Sequence, residues 1–192
     1  MLHREIIRYD GTEDNYVEKF KYALLSKKER ARFPNDEEFK AAFEVRQVYL
    51  MNSKNKIYIL ERFENFGTLE DKDVYRHCDD GTYSIEHIMP QNKNLSTAWQ
   101  KMLGSDWELV RERYLHTLGN LTLTGYNSEL GDLPFTEKQK RLSEQTTHVT
   151  VLYSDVKGKT EWNARTIEAR AERLSGEVLR LFTVEQPTTK ID

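Results

Sequence analysis

The sequence predicts an α+β chain that is mostly helical, with a short antiparallel hairpin plus helix embedded in a helical bundle. Long stretches near both ends carry apolar residues at helical spacing. Between them, Leu121-Thr122-Leu123-Thr124 is rich in strand formers and bounded by Gly119 and Gly125. Tyr83 to Met89 alternates imperfectly and runs into the break at Pro90, which suits a second short strand.

Residues 14–30 carry Tyr16, Phe20 and Leu24 at four-residue spacing, an amphipathic helix that Pro34 ends. Asn35 stands three before Glu38, a capping box opening a helix with Phe39, Phe43 and Leu50 inward. A third helix holds Ile57, Leu60 and Phe63 and stops at Phe66-Gly67. Past the first strand, Trp99–Leu103 and Trp107–Leu115 read as short helices, with Val110 and Tyr114 on one face of the second. Phe135–Ser143 reads as a helix with Pro134 at its start. Residues 146–153 favour a strand by propensity. Residues 161–182 give the clearest helix, with Ile167, Ala171, Leu174, Val178 and Leu181 at three- and four-residue steps. Arg165, Arg170, Arg173 and Arg180 are expected on its solvated face, beside acidic partners, with a DNA-facing role for some of them as the alternative. The organisation is one domain over 1–192: a helical part over 10–67, a core over 82–145, the final helix over 161–182 and a loose tail over 186–192.

The composition fits this picture. Of 192 residues, 38% are hydrophobic and 11% aromatic, which argues against a disordered chain. No apolar run is long enough to span a bilayer, and Met1-Leu2-His3-Arg4-Glu5 does not open a signal peptide, so a cytoplasmic, non-membrane protein is expected. Cys78 is the only cysteine, so an intramolecular disulfide and a thiolate zinc cage are both excluded. The acidic Asp79-Asp80 beside it would raise its thiol pKa. The net charge of −3 does not favour nucleic-acid binding, although a nuclease needs only a local cationic surface.

The chemistry concentrates in Ser84-Ile85-Glu86-His87-Ile88-Met89-Pro90-Gln91, in Leu118-Gly119-Asn120-Leu121-Thr122-Leu123-Thr124 and in Tyr126-Asn127. Hydrolysing a phosphodiester needs a base to deprotonate water, a cation to neutralise developing charge, and a frame that holds both in line. His87 is the natural base, because an imidazole with an ordinary pKa near 6.5 is a neutral acceptor at cytoplasmic pH. Glu86 would turn toward the same cleft at the bend before Pro90 and offer a hard oxygen to one Mg²⁺ or Mn²⁺. Asn120 would brace the loop that carries His87. Asn127 either gives the metal its second protein ligand or N-caps the chain before Ser128-Glu129. His116 is assigned to a loop or to the shell behind the site, with a place on the metal as the alternative. Lys138 either contacts phosphate as a point charge or is a surface lysine with no role. The imidazole and the two amides must converge on one solvent-accessible pocket.

These residues resemble the HNH (ββα-metal, His-Me finger) endonucleases. More closely, they resemble the C-terminal nuclease domain of GmrSD-type modification-dependent restriction enzymes. The resemblance rests on Glu86-His87-Ile88-Met89-Pro90-Gln91, Trp99, His116-Thr117-Leu118-Gly119-Asn120-Leu121-Thr122-Leu123, Asn127 and Pro134-Phe135-Thr136-Glu137-Lys138. Arg32-Phe33-Pro34 and the closing Trp162, Ile167, Arg170, Leu174 pattern extend it over residues 10–182. It implies a ββα-metal core and a metal-dependent DNA endonuclease or nickase. In that enzyme His87 is the general base, Asn120 the bracing middle residue and Asn127 the last motif position. Glu86 stands where many such enzymes place a metal-binding aspartate, and the interval from Asn120 to Asn127 is shorter than in many of them. The resemblance further implies phage defence, modified DNA as substrate, and an N-terminal nucleotide-hydrolysing sensor domain or subunit, which is not found in this chain. The alternatives are a catalytically silent helical module that docks a partner ATPase or DNA, and an RNA-cutting nuclease with the same site.

Overall fold

Apolar spacing and side-chain caps set the helices of the N-terminal part. The computed structural model describes residues 13–25, 27, 34–69, 71–125, 130–144 and 150–182. Helix α1 covers Glu13–Leu25 and α2 covers Asp36–Val45. Both halves of the expected capping box form at α2: the Asn35 side chain accepts from the Glu38 amide at 2.8 Å, and the Glu38 carboxylate accepts from the Asn35 amide at 3.1 Å. Leu50 does not continue this helix inward. The chain leaves α2 at Arg46 and makes a 3₁₀ turn over Val48–Leu50, which changes the phase of the side chains. Val48 is therefore fully buried and Leu50 is 62% exposed. Helix α3, Ser53–Asn65, is N-capped by Asn52, buries Leu60 and Phe63, and stops at Phe66, followed by Gly67 at φ +71.

After α4 (Val74–Asp79), strand β1 (Ser84–His87) pairs antiparallel with β2 (Leu121–Thr124). The register sets His87 opposite Leu121 and Glu86 opposite Thr122. No tight turn joins the strands. Residues 88–120 intervene and hold α5 (Thr97–Leu103), α6 (Trp107–Tyr114) and a 3₁₀ turn over Leu118–Asn120 that delivers the chain into β2. Helix α7, Phe135–Glu144, follows Pro134 and meets β1 through Lys138. The fold is thus α+β and mostly helical, as expected.

Two other expectations change. Val151–Ser154 is a helical turn, α8, rather than a strand; residues 145–149 lie outside the described part. Thr150 caps this turn, and the buried Glu64 carboxylate accepts the amides of Val151 and Leu152, each at 2.8 Å. Propensity loses here because a tertiary partner satisfies the free amides of a helix start. Arg170 is also no surface residue. Helix α9, Ala164–Leu181, buries Ile167, Ala171, Leu174 and Val178, and Arg170 lies three residues after Ile167 on the same stripe. Its Nη1 donates to the carbonyls of Leu118 (2.8 Å), Gly119 (3.1 Å) and Leu121 (2.8 Å), and its Nη2 to that of Leu152 (2.9 Å). Its Nε lies 3.5 Å from the Asp155 carboxylate. Desolvation drives the Arg170 pKa down to about 10. Arg165, Arg173 and Arg180 are exposed as expected, and Arg173 pairs with Asp155 and Glu177.

The close approach of α9 explains Gly119. A Cβ there would stand 2.6 Å from the Ile167 carbonyl oxygen, so any side chain would push the 3₁₀ turn off the helix. One apolar cluster, around Phe43, Leu60, Phe63 and Val178, includes Leu121 and Leu123. A second cluster holds Ile88 and Met89 just past β1, with Trp99, Phe135 and Trp162. No helix among the described residues is long and apolar enough to cross a membrane. The tail over 186–192 lies outside the described residues.

Candidate active site

Neighbouring side chains on a strand point to opposite faces, and this geometry governs Glu86 and His87. The expected bend that would turn both into one cleft does not form. Glu86 turns toward α7, where Lys138 Nζ lies 2.5 Å from Glu86 Oε1 and donates to the His87 carbonyl at 2.9 Å. Both side chains are almost wholly buried. Burial pushes the Glu86 carboxyl up and the Lys138 ammonium down, each opposed by the charge of the other. Lys138 is therefore no surface phosphate contact: its ammonium is spent on the end of β1. Glu86 in turn has its charge met inside the core.

The His87 ring lies on the other face, among polar and aromatic groups. Its Nε2 is 3.1 Å from His116 Nδ1. Tyr49 meets the His87 ring edge-on, centroids 4.4 Å apart, and stacks on His116 at 5.4 Å with 11° between planes. Lys56 reaches over Tyr49, its Nζ 4.5 Å from the ring centroid, and donates to the Tyr49 carbonyl at 3.2 Å. His87 is 3% exposed, so the accessible pocket expected around it is closed in this conformation. Desolvation first, then the positive charge of His116, Lys138, Lys56 and Arg111, drives its pKa down to about 3. His116 is also lowered, by burial and by Arg111. The Nδ1 atom of His87 is buried with no hydrogen-bond partner among the described residues.

Asn120 is fully buried and grips the segment after His87 from both sides. Its Oδ1 accepts the Met89 amide at 2.8 Å and the Trp162 indole N–H at 3.0 Å. Its Nδ2 donates to the carbonyls of Met89 (3.1 Å) and Leu115 (2.9 Å). Its backbone carbonyl accepts from Ile88 at 3.0 Å. Four side-chain bonds use the whole capacity of the amide and permit only one orientation of it. The residues it holds, Ile88 and Met89, directly follow His87. Arg111 secures the next stretch by donating to the carbonyls of Gln91 and Asn92. Asn127 lies outside the described residues.

Three contributors escaped sequence reasoning, and a fourth, Arg170, was marked by the family pattern but expected on the surface. Tyr49 was hidden by the misplaced end of α2, and Lys56 and Arg111 had no motif to mark them. Arg170 stood in the closing pattern with Ile167 and Leu174, yet it was grouped with the solvated arginines of the same helix. Among the described residues no group of three or more His, Cys, Asp or Glu side chains is placed to hold a metal ion. Of the two expected ligands for Mg²⁺ or Mn²⁺, Glu86 is paired with Lys138 and Asn127 lies outside the described residues.

A family model described as GmrSD restriction endonucleases, C-terminal domain, matches residues 33–177, which is more than half of the chain. No curated protein matches the chain.

Proposed function

Because this chain belongs to the family of GmrSD restriction endonuclease C-terminal domains, we propose that it is a DNA endonuclease or nickase module in which His87 is the general base. The observation that carries this reading is the unpaired Nδ1 of a ring whose other nitrogen, flanking carbonyl and following backbone are all held. A neutral imidazole with a free lone pair can take a proton from water as that water attacks phosphorus. Desolvation and, after it, the nearby cations keep the ring neutral; an entering phosphate would partly cancel the cationic share and so raise the proton affinity of Nδ1 when substrate is present. Asn120 and Lys138 hold the strand end, so the base does not reorganise during the reaction. Water and phosphodiester reach Nδ1 only once the cover over the ring shifts.

Dependence on one Mg²⁺ or Mn²⁺ belongs to the same proposal, with Asn127 as a ligand. Such an ion, when bound, neutralises charge on the phosphate and the departing oxygen. So does the wider setting, in which the module cuts modified phage DNA in the cytoplasm under the control of a nucleotide-hydrolysing sensor domain or subunit. Plasmid nicking in Mg²⁺ or Mn²⁺ tests the reading. His87→Ala is expected to lose about 10²-fold or more in rate; a folded variant that cuts like wild type removes His87 from the role. The closed ring and the pairing of Glu86 with Lys138 favour a second reading, a silent module that docks a partner. Calorimetric titration with Mn²⁺ separates them, because a silent module shows no stoichiometric binding that Asn127→Ala abolishes.

A further inference from the structure

We propose that His116 is a positioning residue that accepts the Nε2–H of His87 and thereby keeps the lone pair of that ring on Nδ1. This rests on the reading of His87 as the base. The two rings are 3.1 Å apart through His87 Nε2 and His116 Nδ1, and one hydrogen lies between them. Only two arrangements of neutral rings make that bond. If His116 donated, His87 would carry its hydrogen on Nδ1, and that N–H would be buried without an acceptor among the described residues. If His87 donates, Nδ1 is a bare lone pair instead. Orphaned N–H groups are rarer in protein interiors than under-used acceptors, so the second arrangement prevails. It is also the only one in which a buried, unpaired nitrogen is a base.

The surroundings suit a fixed acceptor. His116 lies flat on Tyr49, whose own ring closes against the edge of His87, and Lys56 ties the Tyr49 carbonyl. The imidazole plane of His116 is thus set by stacking, and its Nδ1 is aimed at His87. Motif spacing had marked His116 only as a residue of a loop or of the shell behind the site. The geometry gives it a specific task, the choice between two tautomers of its neighbour.

Long-range ¹H–¹⁵N spectra of the histidine-labelled protein test this without any nuclease assay. The His87 Nδ1 is expected to resonate as an unprotonated nitrogen and Nε2 as a protonated one. His116→Asn, which places a carbonyl oxygen near the lost Nδ1, is expected to keep that pattern and to nick plasmid within about threefold of wild type. His116→Leu is expected to mix the two tautomers and to lower kcat about tenfold or more, with KM little changed. A proton on His87 Nδ1 in the wild-type spectrum overturns the proposal, and so does a His116→Leu protein that keeps the pattern and the rate. If the wild-type protein cuts no DNA, the nuclease reading fails while the nitrogen shifts still decide the hydrogen bond. If His116→Leu does not fold, the wild-type and His116→Asn spectra remain decisive.

Discussion

The grip of Asn120 can be tested by changing one atom. Asn120→Asp keeps the shape of the side chain and the oxygen that accepts from Met89 and Trp162. It replaces the amide nitrogen, which faces the carbonyls of Met89 and Leu115 at 3.1 and 2.9 Å, with a second oxygen. A carboxylate cannot sit between two carbonyl oxygens in a fully buried place, so the folded protein must protonate it. The unfolded chain ionises the same group near its ordinary pKa of about 3.9. A folded pKa raised above the unfolded one gives stability that is present at low pH and lost as pH rises. The loss relative to wild type should run at about 1.4 kcal/mol per pH unit, or about 4 kcal/mol at pH 7. A protonated carboxyl offers one donor where the amide offered two, which adds a pH-independent cost of about 1–3 kcal/mol. Urea denaturation of both proteins at pH 5, 6 and 7 measures the difference, and the acid loss caused by His87 cancels because both proteins share it. The gap should narrow by about 2.7 kcal/mol from pH 7 to pH 5. A gap that is constant with pH would show that the amide nitrogen does not face two carbonyls, and the bracing account would fall.

Two further outcomes follow from the same buried groups. The folded chain holds His87 unprotonated down to about pH 3, whereas the unfolded chain takes a proton near pH 6.5, so stability should fall as pH drops through that window. The loss at pH 5 is about 2 kcal/mol, and His87→Asn should flatten the slope in denaturation curves taken between pH 7.5 and 5. Arg170→Met leaves four backbone carbonyls without their donor and should cost about 3 kcal/mol or more in thermal or urea melts. A solvated arginine would move stability by no more than about 0.5 kcal/mol, so a small effect contradicts the buried placement.

Much of the fold was legible because its parts are local. The Asn35 box, the stop at Gly67 and the strand signal at Leu121–Thr124 each depend on a few neighbouring residues, and each forms as expected. The order Glu86-His87, Gly119-Asn120-Leu121 and Pro134-Phe135 pointed to the right pair of strands and the helix that follows. What failed depended on partners far along the chain. Residues 151–154 became a helix because Glu64 caps them from another element. Glu86 and Lys138 left the candidate site because 52 positions of separation hid that they meet inside the core.

By itself the sequence determined the fold class, the family likeness and the residues that flank His87, since periodicity and short motifs are properties of adjacent positions. The tertiary structure alone decided which charges are spent on one another. It packed α7 beneath one face of β1 and set Tyr49 and His116 against the other. A side chain's pKa, its exposure and the nitrogen it leaves unpaired are set by whatever packs across from it, and linear order does not contain that information.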